Sequence, residues 1–329
     1  MRSPTLAAGL LAASTLAATA DTPQLRVLTY DSFVSDWGPG PAVESAFEAT
    51  CGCDLVFETA GDGAAMLARL LLTGARTDAD VVLGLDTALT AVAAASGLFA
   101  PHGMEPDLDL PIAWDDPLFL PFDWGWFAFV YDTTRTPNPP HSFRDLIDSD
   151  LSVVIQDPRS STPGLGLLMW VKAAYGDQAA AIWQGLAPRI LTVTPGWSEA
   201  YGLFLDGEAD MVLSYTTSPA YHLIAENDAT KAAAAFTEGH YLQVEVAGMI
   251  AGSDQPALAR QFLTFMTSDS FQSIIPETNW MYPAVTPVNG LPDGFDTMIR
   301  PATTLFFPAA QASNLRDAAL AEWRDALAR

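Results

Sequence analysis

Positive charge is the scarcest property of this chain. Its 329 residues carry 15 lysines and arginines against 39 acids, for a formal charge of −24, and the only lysines are Lys172 and Lys231. That balance excludes a nucleic-acid partner and adhesion to anionic lipid, both of which need clustered basic residues. It is compatible with a cationic ligand and equally with plain solvation of an exported surface. Cysteine is almost absent: Cys51 and Cys53, separated by one glycine, are the full complement. Two thiols make a poor metal site, and His102, His141, His222 and His240 show no ligand-like spacing, so no metal centre is expected. An exported location permits a Cys51–Cys53 disulfide in a tight ring. Past the N-terminus nothing approaches the ~18 uninterrupted apolar residues of a membrane span, so no direct insertion is expected. Internal repeats and a Tyr-Tyr pair are also missing.

What is present begins with an export signal. Residues 1–20 carry basic Arg2, then an apolar and small-residue run from Leu6 to Ala18, and end in Ala18-Thr19-Ala20, a small-x-small cleavage pattern. No cysteine follows it to carry a lipid. The roughly 309 residues beyond it exceed a single core of typical size and point to two lobes. Half of the residues are apolar and 16% are charged, as in a well-packed globular protein.

Strand and helix patterns alternate from the start of the mature chain, the signature of a parallel-sheet α/β protein. Strands are predicted at 25–30, 55–57 and 79–83, interleaved with helices at 39–50, 63–73 and 87–96. A proline-rich stretch over 101–124 then runs into the intensely β-forming 126–131. That pattern suggests a crossover between lobes. A second series follows: strands at 153–156, 190–193 and 211–215, and helices capped at Ser142 and spanning 164–175 and 197–205. The apolar strand 242–249 is the natural return crossover, and helices at 256–267 and 308–327 close the chain. The predicted fold is therefore α/β with two lobes, each a mostly parallel sheet flanked by helices, joined by crossover strands acting as a hinge. Residues 21–122 plus 245–275 are assigned to the first lobe, and 123–244 plus 276–329 to the second.

Candidate ligand residues gather where strands end and helices begin, the usual binding edge of such sheets. At the first joint, Tyr30 can stack on a ring, Asp36 can pair with a cation and Trp37 can wall a cleft; helix capping and packing explain them equally. Gly61-Asp62-Gly63 allows close backbone approach, although Asp62 is also a natural N-cap. Ser160-Ser161-Thr162, opening a helix, forms a potential anion cradle suited to phosphate. Trp197 and Tyr215 offer flat faces, Thr216, Thr217 and Ser218 offer hydroxyls, and Tyr221 starts the next helix. Trp280 lies in an irregular segment free to face a cleft. A fitting ligand has flat rings, a delocalised positive charge and optionally a phosphate.

These segments read YDSF and DWGPGP (30–41), ADVVLGLD (79–86), FVYD (129–132), DPRSSTPGLGLL (157–168), GWSEAYGLFL, LSYTTSPAYH, EGHYLQVEVA (238–247) and NWMYP. Through them the whole mature chain resembles the thiamine-binding periplasmic proteins of bacterial ABC importers. The resemblance implies a type II periplasmic binding-protein fold in the periplasm. It implies capture of thiamine and its mono- and diphosphates as transported ligands, with no cofactor, no catalytic residue, an ABC permease and ATPase as partners, and a monomeric state. By matching motif it implies ligand contacts from Asp62, Gly63, Ser161, Thr162, Trp197, Tyr215, Thr216, Thr217 and Ser218, with Tyr30, Trp37, Tyr221 and Trp280 as further cleft residues. The loop Glu58-Thr59-Ala60-Gly61 departs from the family pattern while leaving Asp62 intact. Two alternatives stand beside this reading. A polyamine binder would use the carboxylates and aromatics but needs no hydroxyl cradle. A thiamine-degrading transferase on the same scaffold needs a cleft cysteine, whereas Cys51 and Cys53 sit at the amino end of a strand.

Overall fold

The computed structural model describes residues 22–328; the expected signal segment 1–20 lies outside them. The first lobe opens with β1 (Gln24–Thr29), α1 (Gly40–Cys51), β2 (Asp54–Thr59), α2 (Gly63–Thr73), β3 (Val81–Asp86) and α3 (Thr87–Ala95). Short β4 (Phe99–Ala100) leads to the long β5 (Phe119–Asp132). The second lobe follows as α4 (Phe143–Asp148), β6 (Val153–Gln156), α5 (Thr162–Tyr175), α6 (Ala179–Leu186), β7 (Ile190–Thr194), α7 (Trp197–Leu205), β8 (Met211–Tyr215), α8 (Pro219–Ala225) and β9 (Lys231–Ala233). The chain returns through β10 (His240–Ile250) and continues into α9 (Pro256–Met266), α10 (Asp269–Gln272), α11 (Ile275–Thr278), β11 (Tyr282–Pro283), β12 (Thr304–Leu305) and α12 (Ala309–Leu327).

The main strand order is β2-β1-β3-β10-β5-β8-β6-β7. β1 pairs in parallel with β2 and β3, and β6 pairs in parallel with β7 and β8. These are the two parallel halves that the alternating pattern demanded. β10 and β5 run antiparallel to each other and to their outer neighbours β3 and β8. β5 pairs with β10 over 119–126 and with β8 over 127–131, so a single strand passes from one half-sheet to the other.

Both crossover strands are longer than predicted. β5 begins seven residues before the expected Trp126, inside the proline-rich stretch. Pro121 is tolerated there because the β5–β10 register shifts between Glu245 and Val246, beside Pro121, where the ladder does not need its missing N–H. From Phe119 to Val130 every residue of β5 is buried, as expected of a central strand covered on both faces.

Helix α5 lies almost wholly inside, with all residues from Thr162 to Val171 buried. Its glycines explain how. A Cβ on Gly166 would sit 2.0 Å from the Phe127 ring, so only glycine lets α5 rest against β5. Ser142 caps α4 as the sequence suggested, accepting a hydrogen bond from the Asp145 amide at 2.9 Å. Cys51 and Cys53 form the permitted disulfide, tying the end of α1 to the start of β2. The C-terminal helix α12 packs on α3 of the first lobe and on α5 and α6 of the second, with Lys172 Nζ donating to Glu322 at 2.7 Å.

Candidate functional site

Five strand-to-helix joints face one another across a cleft of about 490 Å³. From the first lobe come Tyr30, just past β1, and Asp62, just before α2; from the second come the starts of α5, α7 and α8. The 278–281 segment and β10 close the floor.

Asp62 occupies the N-cap position of α2, yet its carboxylate caps nothing there. It reaches across to the other lobe instead, accepting from Ser161 Oγ at 2.7 Å and from the Trp197 amide at 3.2 Å. Burial raises its pKa to about 6, with these two hydrogen bonds pulling the other way. The lobes touch closely at this point. The Ala65 amide donates to the Ser160 carbonyl at 3.0 Å, and a Cβ on Gly63 would lie 2.4 Å from Thr162 Oγ1.

Aromatic rings make the walls. Trp197 stacks on Tyr201 at 4.8 Å and donates its indole N–H to Ser214 Oγ at 2.8 Å. Trp37, 53% exposed, leans toward Trp197 from the opposite lobe at 6.0 Å. Tyr215 stacks on Phe127 at 5.1 Å and donates its hydroxyl to Gln243 Oε1 at 2.9 Å. Tyr221 meets Trp280 edge-on at 5.5 Å. Trp280 holds a left-handed backbone, φ 56°, which is unfavourable for a bulky side chain and is kept by its surroundings.

At the floor is a carboxyl pair that the sequence reading did not single out. Glu245 on β10 sits opposite Asp123 on β5. Tyr30 donates its hydroxyl to Glu245 Oε2 at 3.0 Å. Asn279 Nδ2 donates to Asp123 Oδ2 at 2.6 Å and to the Tyr30 oxygen at 3.1 Å. Burial first, then mutual repulsion, holds Glu245 well above the usual carboxylate range, and burial raises Asp123 as well. The detectable signal was a lone Glu inside the apolar run LQVEVAGMI.

Of the sequence-predicted residues, Tyr30, Trp37, Asp62, Thr162, Trp197, Tyr215, Ser218, Tyr221 and Trp280 line the cleft together. The side chains of Ser161, Thr216 and Thr217 are fully buried and lie behind that surface, and Gly63 is buried where α2 meets α5. Ser161 is used by Asp62, while Thr217 lies 3.8 Å from Met281 Sδ and Thr216 follows Tyr215 into the turn. Ser218 Oγ braces that turn, receiving the Tyr215 amide at 3.1 Å. Asp36 is exposed and away from the cleft wall, so it does not serve as the expected cation partner. Besides Glu245, the sequence reading missed Ser32, Tyr201, Asn279 and Met281, all of which line the cleft.

The model of bacterial extracellular solute-binding proteins matches residues 38–273, and the chain belongs to that family. With the two-lobe fold and a cleft between the lobes, it is the periplasmic solute-binding component of an ABC importer. Its relatives are more particular. The thiamine-binding periplasmic protein of Escherichia coli K12 is 53% identical over 310 residues, covering 93% of this chain and 94% of that protein. That of Brucella melitensis is 50% identical over 309 residues, covering 93% and 92%. A solved structure described as a periplasmic thiamin binding protein superposes with a TM-score of 0.91 at 53% identity, over 94% of this chain and 97% of that one. Among the described residues no helix is long and apolar enough to cross a membrane.

Proposed function

We propose that this chain captures thiamine and its mono- and diphosphates, and hands them as a monomer to the permease and ATPase of an ABC importer without changing them chemically. The observation that carries the reading is the cleft itself: facing aromatic walls with carboxylates at both ends and, among the described residues, no lysine or arginine in its lining. Flat faces and negative charge are what a ligand with two rings and one fixed positive charge requires. Asp62, Gly63, Ser161, Thr162, Trp197 and the Tyr215–Ser218 turn are the proposed contacts, and Tyr30, Trp37, Tyr221 and Trp280 complete the enclosure. The phosphate of a phosphorylated ligand is assigned to the starts of α5 and α7, whose helix dipoles favour anions. Absence of catalysis is supported by the thiols: both are locked in a disulfide at the amino end of β2, while the cleft lies at the carboxyl ends.

Titration calorimetry with thiamine, thiamine diphosphate and spermidine tests the reading. Tight binding of the first two and weak binding of the third is expected. Preference for spermidine would replace thiamine with a polyamine. Thiamine recovered intact after prolonged incubation is expected, and appearance of free pyrimidine would make the chain an enzyme.

A further inference from the structure

The Asp123–Glu245 pair deepens the proposed function, on which this inference rests, because its unmet hydrogen bonds indicate which part of the ligand faces the floor. The two carboxyls occupy paired positions on the two crossover strands. Among the described residues, donors reach them from two side chains, Tyr30 to Glu245 and Asn279 to Asp123. Asp123 is fully buried, and its Oδ1 receives no donor from any backbone, hydroxyl or amide group. A proton shared with Glu245 is what can satisfy that oxygen, because two bare carboxylates this close repel strongly. With that proton engaged inward, the remaining acceptor capacity of Glu245, which lines the cleft, faces the ligand space.

The opposite end of the cleft is built from helix starts. There the helix starts of α5 and α7 present donors, Ser161 Oγ and the Trp197 amide, around Asp62. Tyr215 lies between the two ends: after burial itself, the charges of Glu245 and of Asp62 both hold its phenol in the neutral form. One end of the cleft thus offers the Glu245 acceptor and the other the dipoles of two helix starts, with stacking surfaces between.

We propose that Glu245, backed by Asp123, is a specificity-determining residue that receives the N–H donors of the ligand's amino-substituted ring. The aminopyrimidine of thiamine then lies at the floor against Glu245 on β10, and its hydroxyethyl or phosphate end points toward the starts of α5 and α7. A ring that presents a carbonyl oxygen in place of the amino group sets acceptor against acceptor and is rejected.

Calorimetry with thiamine and with oxythiamine, which carries oxygen in place of the pyrimidine amino group, tests this. The wild-type protein is expected to prefer thiamine by about 100-fold or more. Glu245→Met removes the acceptor and should weaken thiamine by roughly 10- to 100-fold, bringing the two ligands within a few-fold of each other. Glu245→Gln keeps an acceptor oxygen and a donor toward Asp123, and should retain most of the preference. Wild-type protein that binds both ligands alike overturns the inference without any variant, and so does a folded Glu245→Met protein with an unchanged ratio. Failure of the wild-type protein to bind thiamine at all would instead remove the proposed function, and this inference with it.

Discussion

Asp62 in the first lobe accepts a hydrogen bond from Ser161 in the second at 2.7 Å, so a carboxylate of the protein itself fills the anion position at the starts of α5 and α7. The two residues are 99 positions apart and come from different lobes. The cradle read from the sequence as a phosphate site is therefore also the receptor for an interlobe latch.

Removing the latch should affect motion as well as affinity. Ligand touching both lobes stabilises the closed form by its differential affinity for that form. Small-angle scattering of the wild-type protein should show a smaller radius of gyration with thiamine than without. Asp62→Ala should reduce that compaction and weaken thiamine roughly tenfold or more, as expected for a lost hydrogen-bonded charge. An undiminished compaction would assign closure to other contacts.

Phosphorylated ligands should feel the α5 start most. Ser161→Ala with Thr162→Ala removes two hydroxyls from that end, and Ser161 also serves Asp62. Thiamine is expected to lose about 0.5–1.5 kcal/mol through the weakened latch, and thiamine diphosphate more. Equal losses for both ligands in calorimetry would mean that phosphate does not use this position.

Tyr215 is the central ring, stacked on Phe127 and anchored through Gln243. Tyr215→Ala should weaken thiamine by roughly 1–3 kcal/mol, the scale of a buried aromatic anchor. Tyr215→Phe keeps the face and should cost less. A dissociation constant unchanged in Tyr215→Ala would take the ring out of the site.

Stability should rise as the solution is made mildly acidic. Asp86 is raised to about 7 by burial, and burial raises Asp123 and Glu245 in the same direction. A carboxyl whose folded pKa lies above its unfolded value contributes stability that is fully present below the unfolded value and lost as pH rises through the folded one. Asp132 runs the other way, lowered to about 2: burial opposes the shift, but the Thr134 and Lys231 hydrogen bonds outweigh it. Its contribution is lost as pH falls toward 2. The melting temperature should therefore climb from pH 8 to pH 5 and decline below about pH 4. A steady fall from pH 8 to pH 5 would contradict the burial of Asp86 and the carboxyl pair.

The strand–helix alternation was legible because each element carries its own periodicity and caps, and Ser142, Gly74 and Gly97 end or begin helices where local chemistry says they should. Residues at strand ends, such as Tyr30, Asp62, Trp197 and Tyr215, were legible for the same reason: the topology fixes which end of a strand faces a cleft. Glu245 and Asp123 were not, because they lie within strands, and only the pairing of β5 with β10 brings them together. The left-handed backbone of Trp280 and the partnership of Asp62 with Ser161 arise from tertiary packing, which short-range sequence pattern does not encode.

Helix α12 bridges the backs of α3 and α5, and that restricts how the molecule can breathe. A brace shared by both halves forbids them to slide apart as separate bodies, so the expected opening is a swing in which the rim travels far and the spine hardly moves. The rate at which cargo leaves then depends on residues that never touch it. Arg316, whose charge acts on buried Asp86 from α12, is one of them. Stopped-flow release of thiamine from Arg316→Ala should be faster than from the wild type with little change at the ligand contacts, and an identical release rate would mean that the spine does not govern the gate.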